Sequence, residues 1–343
     1  MSVPRLELAP GYSVSRLIKG GWQLSGGHGV VDHTGAVSDM AAYADAGITT
    51  FDCADIYTGV EDLIGQFLRS RGATDIQVHT KCVPDLLSLE HLSAADLSAA
   101  IDRSRARLGV EAIDLVQLHW WDYGAGDFVA AARMLQAIQS AGMIRHLGAT
   151  NFGTPQLSGI LRAGVRLVSH QVQYSLLDRR PGGAMTALCA AHGIGLLCYG
   201  SVSGGFLHER WLGKREPPEP LENRSLTKYK LIIDEFGGWE RFQALLELLS
   251  AVGRGHGVGI GPIAIRWVLD QPAVAAVIVG ARNTQHLGGT LDALRLTLTG
   301  NDQALLRSFL AESPGPQGDV YELERDRDGP HGRIMRYNLS SKS

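Results

Sequence analysis

Four residues of this chain carry side chains suited to a single reaction: Asp52, Tyr57, Lys81 and His119. A tyrosine phenol titrates at about pH 10 and gives up its proton poorly at neutral pH. A nearby ammonium favours the phenolate and lowers that pKa, and Lys81 can supply the charge. A carboxylate such as Asp52 would hold the lysine in place and keep it protonated. A histidine can hydrogen-bond the phenol or a substrate oxygen and orient it. Such a set suits protonation of a carbonyl oxygen as it becomes an alkoxide. The hydride would have to come from elsewhere, which implies a nicotinamide cofactor. Singly, each residue has a plainer reading: a structural Asp52–Lys81 ion pair, a snorkelling Lys81, a packing His119 beside Trp120 and Trp121, a surface Tyr57. Their joint placement at successive strand ends favours the chemical reading.

That placement follows from the elements. Thr49–Asp52 is short and rich in β-branched and aromatic residues, the signature of a strand, and Tyr57 falls in the loop after it. Further strands are predicted at Ser15–Trp22, Ile76–Lys81, Leu115–His119, His146–Ala149, Leu167–Gln171, Leu196–Tyr199 and Ala276–Val279. Helical patterns lie between them, near Val37–Ala46, Glu61–Ser70, Ser93–Leu108, Phe128–Ala141, Thr154–Ala163, Gly183–His192, Ile263–Leu269 and Gln285–Leu296. Ser93 and Thr154-Pro155 are good helix starts, and Gly109, Gly142, Gly164 and Gly193 are good helix ends. The alternation predicts an α/β fold, a (β/α)8 TIM barrel, because right-handed crossovers repeated eight times close a parallel sheet. A doubly wound sheet is the alternative, but Gly20-Gly21 and Gly26-Gly27-His28-Gly29 lack its GxGxxG spacing. In such a barrel chemistry sits in the loops after the strands, so Asp52, Tyr57, Lys81 and His119 would meet at one mouth.

Three segments fall outside the alternation. Leu6 to Val14 reads as an N-terminal hairpin turning at Pro10-Gly11, placed to plug one barrel end. Gly204 to Gly259 is a long loop after the seventh strand, with an amphipathic helix near Trp239–Val252; loops of that length are usually functional or mobile. The C-terminal tail, 301–343, starts as a helix and ends polar. Its Tyr321, Arg325, His331 and Arg336 are expected to form a partial lid. The whole chain is read as one domain with a barrel core at about 15–300.

Bulk properties narrow the partners. The 343 residues are 45% hydrophobic and 20% charged, with a formal net charge of −3. That balance points to a small-molecule substrate and away from nucleic acid or an anionic membrane. Residues Met1 to Glu7 hold no apolar signal region, and no apolar run reaches the roughly 18–20 residues of a membrane span. The four cysteines, Cys53, Cys82, Cys189 and Cys198, have no CxxC spacing and read as reduced thiols, which suggests the cytoplasm. No metal site is expected, and nothing calls for an oligomer.

Several motifs, in order, carry a family resemblance. Phe51-Asp52-Cys53-Ala54-Asp55-Ile56-Tyr57 resembles the FDTA…Y motif of the aldo-keto reductase superfamily. His79-Thr80-Lys81 resembles its strand ending in lysine, and Leu118-His119 its histidine motif. Gly148-Ala149-Thr150-Asn151-Phe152 resembles GVSNF. Gln171 to Arg179 resembles the glutamine-bearing sixth strand, Tyr199 to Leu207 the YSPLGSGLL loop, and Ile278-Val279-Gly280-Ala281-Arg282 the final IPGAR. The resemblance runs from about Gly20 to Leu296.

It implies a barrel that binds NADP(H) without a Rossmann domain and reduces an aldehyde or ketone to an alcohol. Tyr57 would be the general acid, with Asp52, Lys81 and His119 completing a tetrad. Thr150, Asn151 and Gln171 would bond the nicotinamide carboxamide, and Tyr199 would stack on the ring. Gly200, Ser201, Val202, Ser203, Gly205 and Leu207 would wrap the pyrophosphate. Arg282, beside Gly280, would pair with the 2′-phosphate. Asn283 and Gln285 would lie near the adenine, and Gly21 and Trp22 at the cofactor edge. Trp22, Tyr57, His119 and Trp120 would line the substrate pocket. Three positions depart from the pattern: His170 for an asparagine, Val202 for a proline, Thr290 for an asparagine. The family also includes potassium-channel β subunits, so the alternative is a cofactor-binding regulatory subunit with little turnover.

Overall fold

The computed structural model describes residues 3–27, 29, 31–72 and 75–335; Arg336 of the expected lid lies outside them. Two short strands, β1 (Arg5–Ala9) and β2 (Tyr12–Ser15), pair antiparallel as the expected hairpin. Eight parallel strands then close a barrel: β3 (Leu17–Gly20), β4 (Thr50–Asp52), β5 (Gln77–Cys82), β6 (Ile113–Leu118), β7 (Ile144–Thr150), β8 (Ser169–Gln173), β9 (Gly195–Tyr199) and β10 (Val274–Gly280). Each pairs with the next in sequence, and β10 returns to β3 through Val277↔Leu17 and Gly280↔Gly20. The fold is the (β/α)8 TIM barrel that the alternation predicts.

Helices wrap the outside: α1 (His33–Asp45), α2 (Val60–Arg71), α3 (Ala94–Leu108), α4 (Phe128–Ser140), α5 (Thr154–Arg162) and α6 (Ala184–Ala191) follow successive strands. Their local signals are those in the sequence. Ser93 caps α3 in a capping box with Asp96, and Pro155 opens α5. Gly109 ends α3 at φ 71°, a backbone shape that costs glycine nothing. The core lies between these helices and the barrel, with Phe51, Phe67, Leu108 and Trp120 fully enclosed.

The first barrel strand is shorter than its expected span, Ser15–Trp22. Ser15 belongs to the hairpin, and at the other end the Gly21 N–H turns to donate to the Asp52 carbonyl, so Trp22 starts a short 3₁₀ turn. The segment after β9 also exceeds its expectation. It contains α7 (Arg224–Phe236), α8 (Gly238–His256) and α9 (Ile260–Leu269). Helix α7 is absent from the sequence expectation, yet Asn223 caps it and Leu226, Tyr229, Ile233 and Phe236 give it a buried face at helical spacing. The chain ends with α10 (Leu287–Arg295), α11 (Gly300–Ala311) and two single turns, α12 (Glu322–Arg325) and α13 (Pro330–Arg333).

The hairpin seals the end of the barrel opposite the strand C-termini. Leu8, Tyr12 and Val14 pack on Ile18, Leu115, Leu197 and Ala276. The Tyr12 hydroxyl reaches the wholly buried Nε2 of His79 at 2.8 Å, and its ring stacks on His146 at 4.0 Å. The substitution Tyr12→Phe strips His79 of that bond and should cost about 1–3 kcal/mol of stability. Urea unfolding would read the loss; an unchanged midpoint would show that the plug does not depend on the bond.

Candidate active site

Side chains alternate along each barrel strand, so residues two apart share a face. That rule turns Asp52, Lys81, Gln117, Thr150 and Gln171 toward the barrel axis at one level. The register agrees: Lys81 is beside Gln117, and Thr150 beside Gln171. His119, just past β6, is held by its N–H donating to the Cys82 carbonyl.

At this level lies a buried ion pair. Lys81 Nζ donates to Asp52 Oδ2 at 2.7 Å and to the Cys53 carbonyl at 2.8 Å. Asp52 Oδ1 accepts from the side-chain amides of Gln171 at 2.7 Å and Gln117 at 3.2 Å. Burial by itself would lower the Lys81 pKa, but the charges of Asp52 and the Tyr57 phenol carry it above the usual lysine value. The ammonium sits 5.1 Å from the centroid of the Tyr57 ring.

The balance at Tyr57 corrects one expectation. Burial raises the phenol's pKa, and although Lys81 pulls it down, burial wins and the pKa ends above the usual value. Tyr57 therefore rests protonated, a donor held ready for an acceptor.

His119 is neutral. Burial, helped by the charge of Arg325, pushes its pKa down to about 3. Its Nδ1 lies 3.3 Å from the Thr150 carbonyl, which can only accept, so Nδ1 carries the hydrogen. The other nitrogen, Nε2, is thus a bare acceptor, and it is buried with no hydrogen-bond partner among the described residues. Thr150 Oγ1 is in the same state.

All these groups border one cavity of about 1330 Å³ over the strand C-termini. Trp22, Tyr57, Thr150, Asn151, Tyr199, Gly200, Ser201, Val202, Gly205, Leu207, Gly280, Arg282, Asn283, Gln285 and Thr290 line it, as do Asp52, Lys81, His119 and Gln171. Three expected residues do not. Gly21 is turned inward by its bond to Asp52. Ser203 is fully enclosed behind the loop. Trp120 is fully enclosed as well, donating to the Ala125 carbonyl at 3.1 Å, and Trp121 faces the cavity in its place. Alternation explains the exchange: if His119 points in, Trp120 points away and Trp121 returns.

The walls beyond the barrel explain the cavity's shape. Trp22 packs on Tyr57 at 5.0 Å and donates to Ser225 of α7 at 3.1 Å. Gly200 and Gly204 adopt φ 74° and 64°, and a side chain at either would strike Tyr229 of α7. Asn151, at φ 60°, accepts from the Tyr199 hydroxyl at 2.9 Å; asparagine tolerates this left-handed shape. The tail closes the side near His119. Tyr321 meets its ring edge-on at 5.7 Å, and Arg325 donates to the carbonyls of Trp120 and Asn151, both at 2.8 Å. Glu324 anchors the tail, fully buried against Arg180 at 3.1 Å, which also pairs with Asp178 at 2.7 Å. His331 bonds Glu235 at 3.1 Å.

Sequence reading missed Gln117 and α7's Arg224, Lys228 and Tyr229. Gln117, near the end of β6, lies two residues before His119, a legible spacing. The α7 residues gave no signal because nothing local ties that helix to the barrel mouth. His170 has a structural role, since its Nε2 accepts from the Phe152 N–H at 3.1 Å and fixes the turn after β7.

The residues fit a nicotinamide dinucleotide. A glycine-bearing backbone turn, the unpartnered Thr150 Oγ1 and His119 Nε2, and Arg282, which makes no ion pair among the described residues, all face the same long cavity.

Comparison with known proteins agrees with this geometry. The profile of the Aldo/keto reductase family matches residues 16–311. The chain is 28% identical to flagellar radial spoke protein 5 of Chlamydomonas reinhardtii over 69% of its own length, and it spans only 57% of that protein. It is 26% identical to aldo-keto reductase YhdN of Bacillus subtilis (strain 168), covering 90% of this chain and 94% of that one. Among solved structures it is similar to the glycerol dehydrogenase AKR11B4 from Gluconobacter oxydans, with a TM-score of 0.78 and 25% identity over 93% of this chain and 98% of the other.

Three buried imidazoles set a pH dependence. Burial pushes His79, His119 and His170 each down to about 3. Between the ordinary histidine value and about 3 the unfolded chain binds protons that the folded one does not. The histidines' contribution to stability is therefore full above about pH 6.5 and falls as pH drops, offset in part by Asp55, whose carboxyl burial pushes up to about 7. From about pH 7 to about pH 5 the loss should approach 2 kcal/mol per histidine. Urea midpoints across that interval would test it; a constant midpoint would mean that the folded imidazoles already carry charge.

Proposed function

The chain belongs to the aldo/keto reductase family and is an oxidoreductase, and from that premise we propose that it reduces an aldehyde or ketone to an alcohol with NADPH, reversibly, with Tyr57 as proton donor. The observation that carries the reading is the Asp52–Lys81 pair set beneath the protonated phenol of Tyr57 on the cavity wall.

The nicotinamide, when bound, supplies the hydride to the carbonyl carbon. As negative charge develops on the carbonyl oxygen, Tyr57 passes its phenolic proton there. The phenolate left behind lies close to the Lys81 ammonium, which favours it. Asp52 serves this step indirectly. With one oxygen on Lys81 and the other on Gln117 and Gln171, it fixes the lysine and is not free to act as a base. His119 stays neutral, so its Nε2 accepts a hydrogen bond from the Tyr57 hydroxyl or the product alcohol and orients that oxygen. Trp22, Trp121 and Tyr321 screen the reacting atoms from water. In the reverse direction the tyrosinate takes the alcohol proton.

For the cofactor, Thr150, Asn151 and Gln171 are suited to the carboxamide, Tyr199 to the nicotinamide face, and the Gly200–Leu207 backbone to the pyrophosphate. Gly280 and Gln285, on the cavity wall beside Arg282, would border the adenosine. Arg282 supports NADP over NAD, since an exposed guanidinium without a carboxylate partner among the described residues can take a phosphate in bidentate fashion. The four unpaired, buried cysteines support a reducing, cytoplasmic setting.

Turnover is tested by following NADPH absorbance with a panel of aldehydes and ketones. Tyr57→Phe should lower kcat by about 100-fold or more while leaving cofactor binding intact; retained activity would remove Tyr57 as the donor. Arg282→Ala should weaken NADPH binding by about tenfold or more and NADH binding hardly at all. Equal losses for both cofactors would exclude a 2′-phosphate role.

A further inference from the structure

The cavity is sorted by charge. Its carboxylates other than Asp52 are Asp32, Asp39, Asp292 and Glu209. They come from α1 and the residue before it, from α10 and from the loop after β9. None comes from α7 or the tail, the two segments that face Tyr57 and His119. What those two contribute is mainly aromatic rings and cations.

Lys228 of α7 is the central one. Its ammonium lies 5.3 Å from the Tyr199 ring, 5.5 Å from Tyr321 and 6.0 Å from Tyr229. It pairs with Glu324 at 3.6 Å, and both Glu324 oxygens also accept from Arg180, at 3.1 and 3.2 Å, so one carboxylate answers two cations. Among the described residues the ion pairs of Arg180 and Lys228 run only to Asp178 and Glu324, and Arg325 adds a further positive charge beside Tyr321. Positive charge is in excess where the dielectric is low. Burial accordingly lowers the pKa of Lys228. Arg224, one turn earlier on the same face of α7, also lines the cavity, 5.9 Å from the Trp22 ring. Glu324 offsets the largely buried ammonium only in part, because Arg180 shares it, and the side of Lys228 left open faces the cavity.

We propose that this face of α7 selects substrates that carry an anion: Lys228 binds a carboxylate or phosphate on the carbonyl compound while the carbonyl itself lies at Tyr57. The proposal deepens the reductase reading and rests on it for placing the substrate at this end of the cavity.

Binding can be measured apart from turnover, by titration calorimetry on the full chain, with and without NADP⁺. The probes are succinate and glycerol 3-phosphate, against the neutral butane-1,4-diol and glycerol. At least one anion should bind about 10- to 100-fold tighter than its neutral counterpart, and comparing the two anions tells carboxylate from phosphate. Lys228→Met should abolish that preference and Lys228→Arg should keep it. In turnover, Lys228→Met should lower kcat/KM for succinic semialdehyde or glyceraldehyde 3-phosphate by a similar factor, with butanal and glyceraldehyde within about twofold. Equal binding of anions and neutral probes overturns the proposal. So does a loss of NADPH affinity matching the loss for anions, which would assign Lys228 to the cofactor. Absence of turnover with every carbonyl would remove the reductase reading alone, because a Lys228-dependent anion preference would still stand.

Discussion

The pairing of Lys81 with Asp52 governs the arrangement of the rest. Two charges taken out of water are costly to the fold unless every remaining donor and acceptor is satisfied. Here Asp52 answers to three side chains and Lys81 to a carboxylate and a carbonyl. Meeting those demands needs the ends of β4, β5, β6 and β8 at one height, which a closed barrel with this register provides. The contacts that make the pair tolerable are also those that keep the lysine charged beneath Tyr57. Structural necessity and chemical poise are here the same set of hydrogen bonds.

Much of this was legible in the chain because it rests on local signals. Strands and helices alternate with clear starts and stops, and period-two spacing fixes which residues look inward. The residues at strand ends, from Asp52 to Arg282, are therefore found where short-range patterns place them. Errors arise where a pattern is read without its alternation, as at Trp120 and Trp121, or where a balance of opposing effects decides the outcome. The phenol of Tyr57 is one such balance: the lysine is visible in sequence, whereas the burial that outweighs it is a property of the assembled site.

Long-range docking was the least legible part. Glu324 looks like any acidic residue in a polar tail, and nothing within its own stretch of chain announces Arg180, far earlier in the sequence. The same holds for Lys228 and the rings around it, drawn from β9, α7 and the tail. The sequence marks the segment after β9 and the tail as breaks in the alternation. It does not supply their side-chain geometry, because that geometry comes from tertiary packing and not from propensity.

The Glu324 anchor has an evolutionary consequence. Burial alone would raise its carboxyl pKa, but the neighbouring cations Lys228 and Arg180 carry it down to about 2, so it remains charged across the physiological range. The tail is thus tied down by one acid between two cations, and Arg325, the next residue, ties it to the turns after β6 and β7. Of its neighbours, Tyr321 meets the site through its ring edge on His119, whereas Arg325 also holds the Trp120 and Asn151 carbonyls. A lineage that keeps both ties can exchange the ring at Tyr321 and so reshape the surface over the mouth.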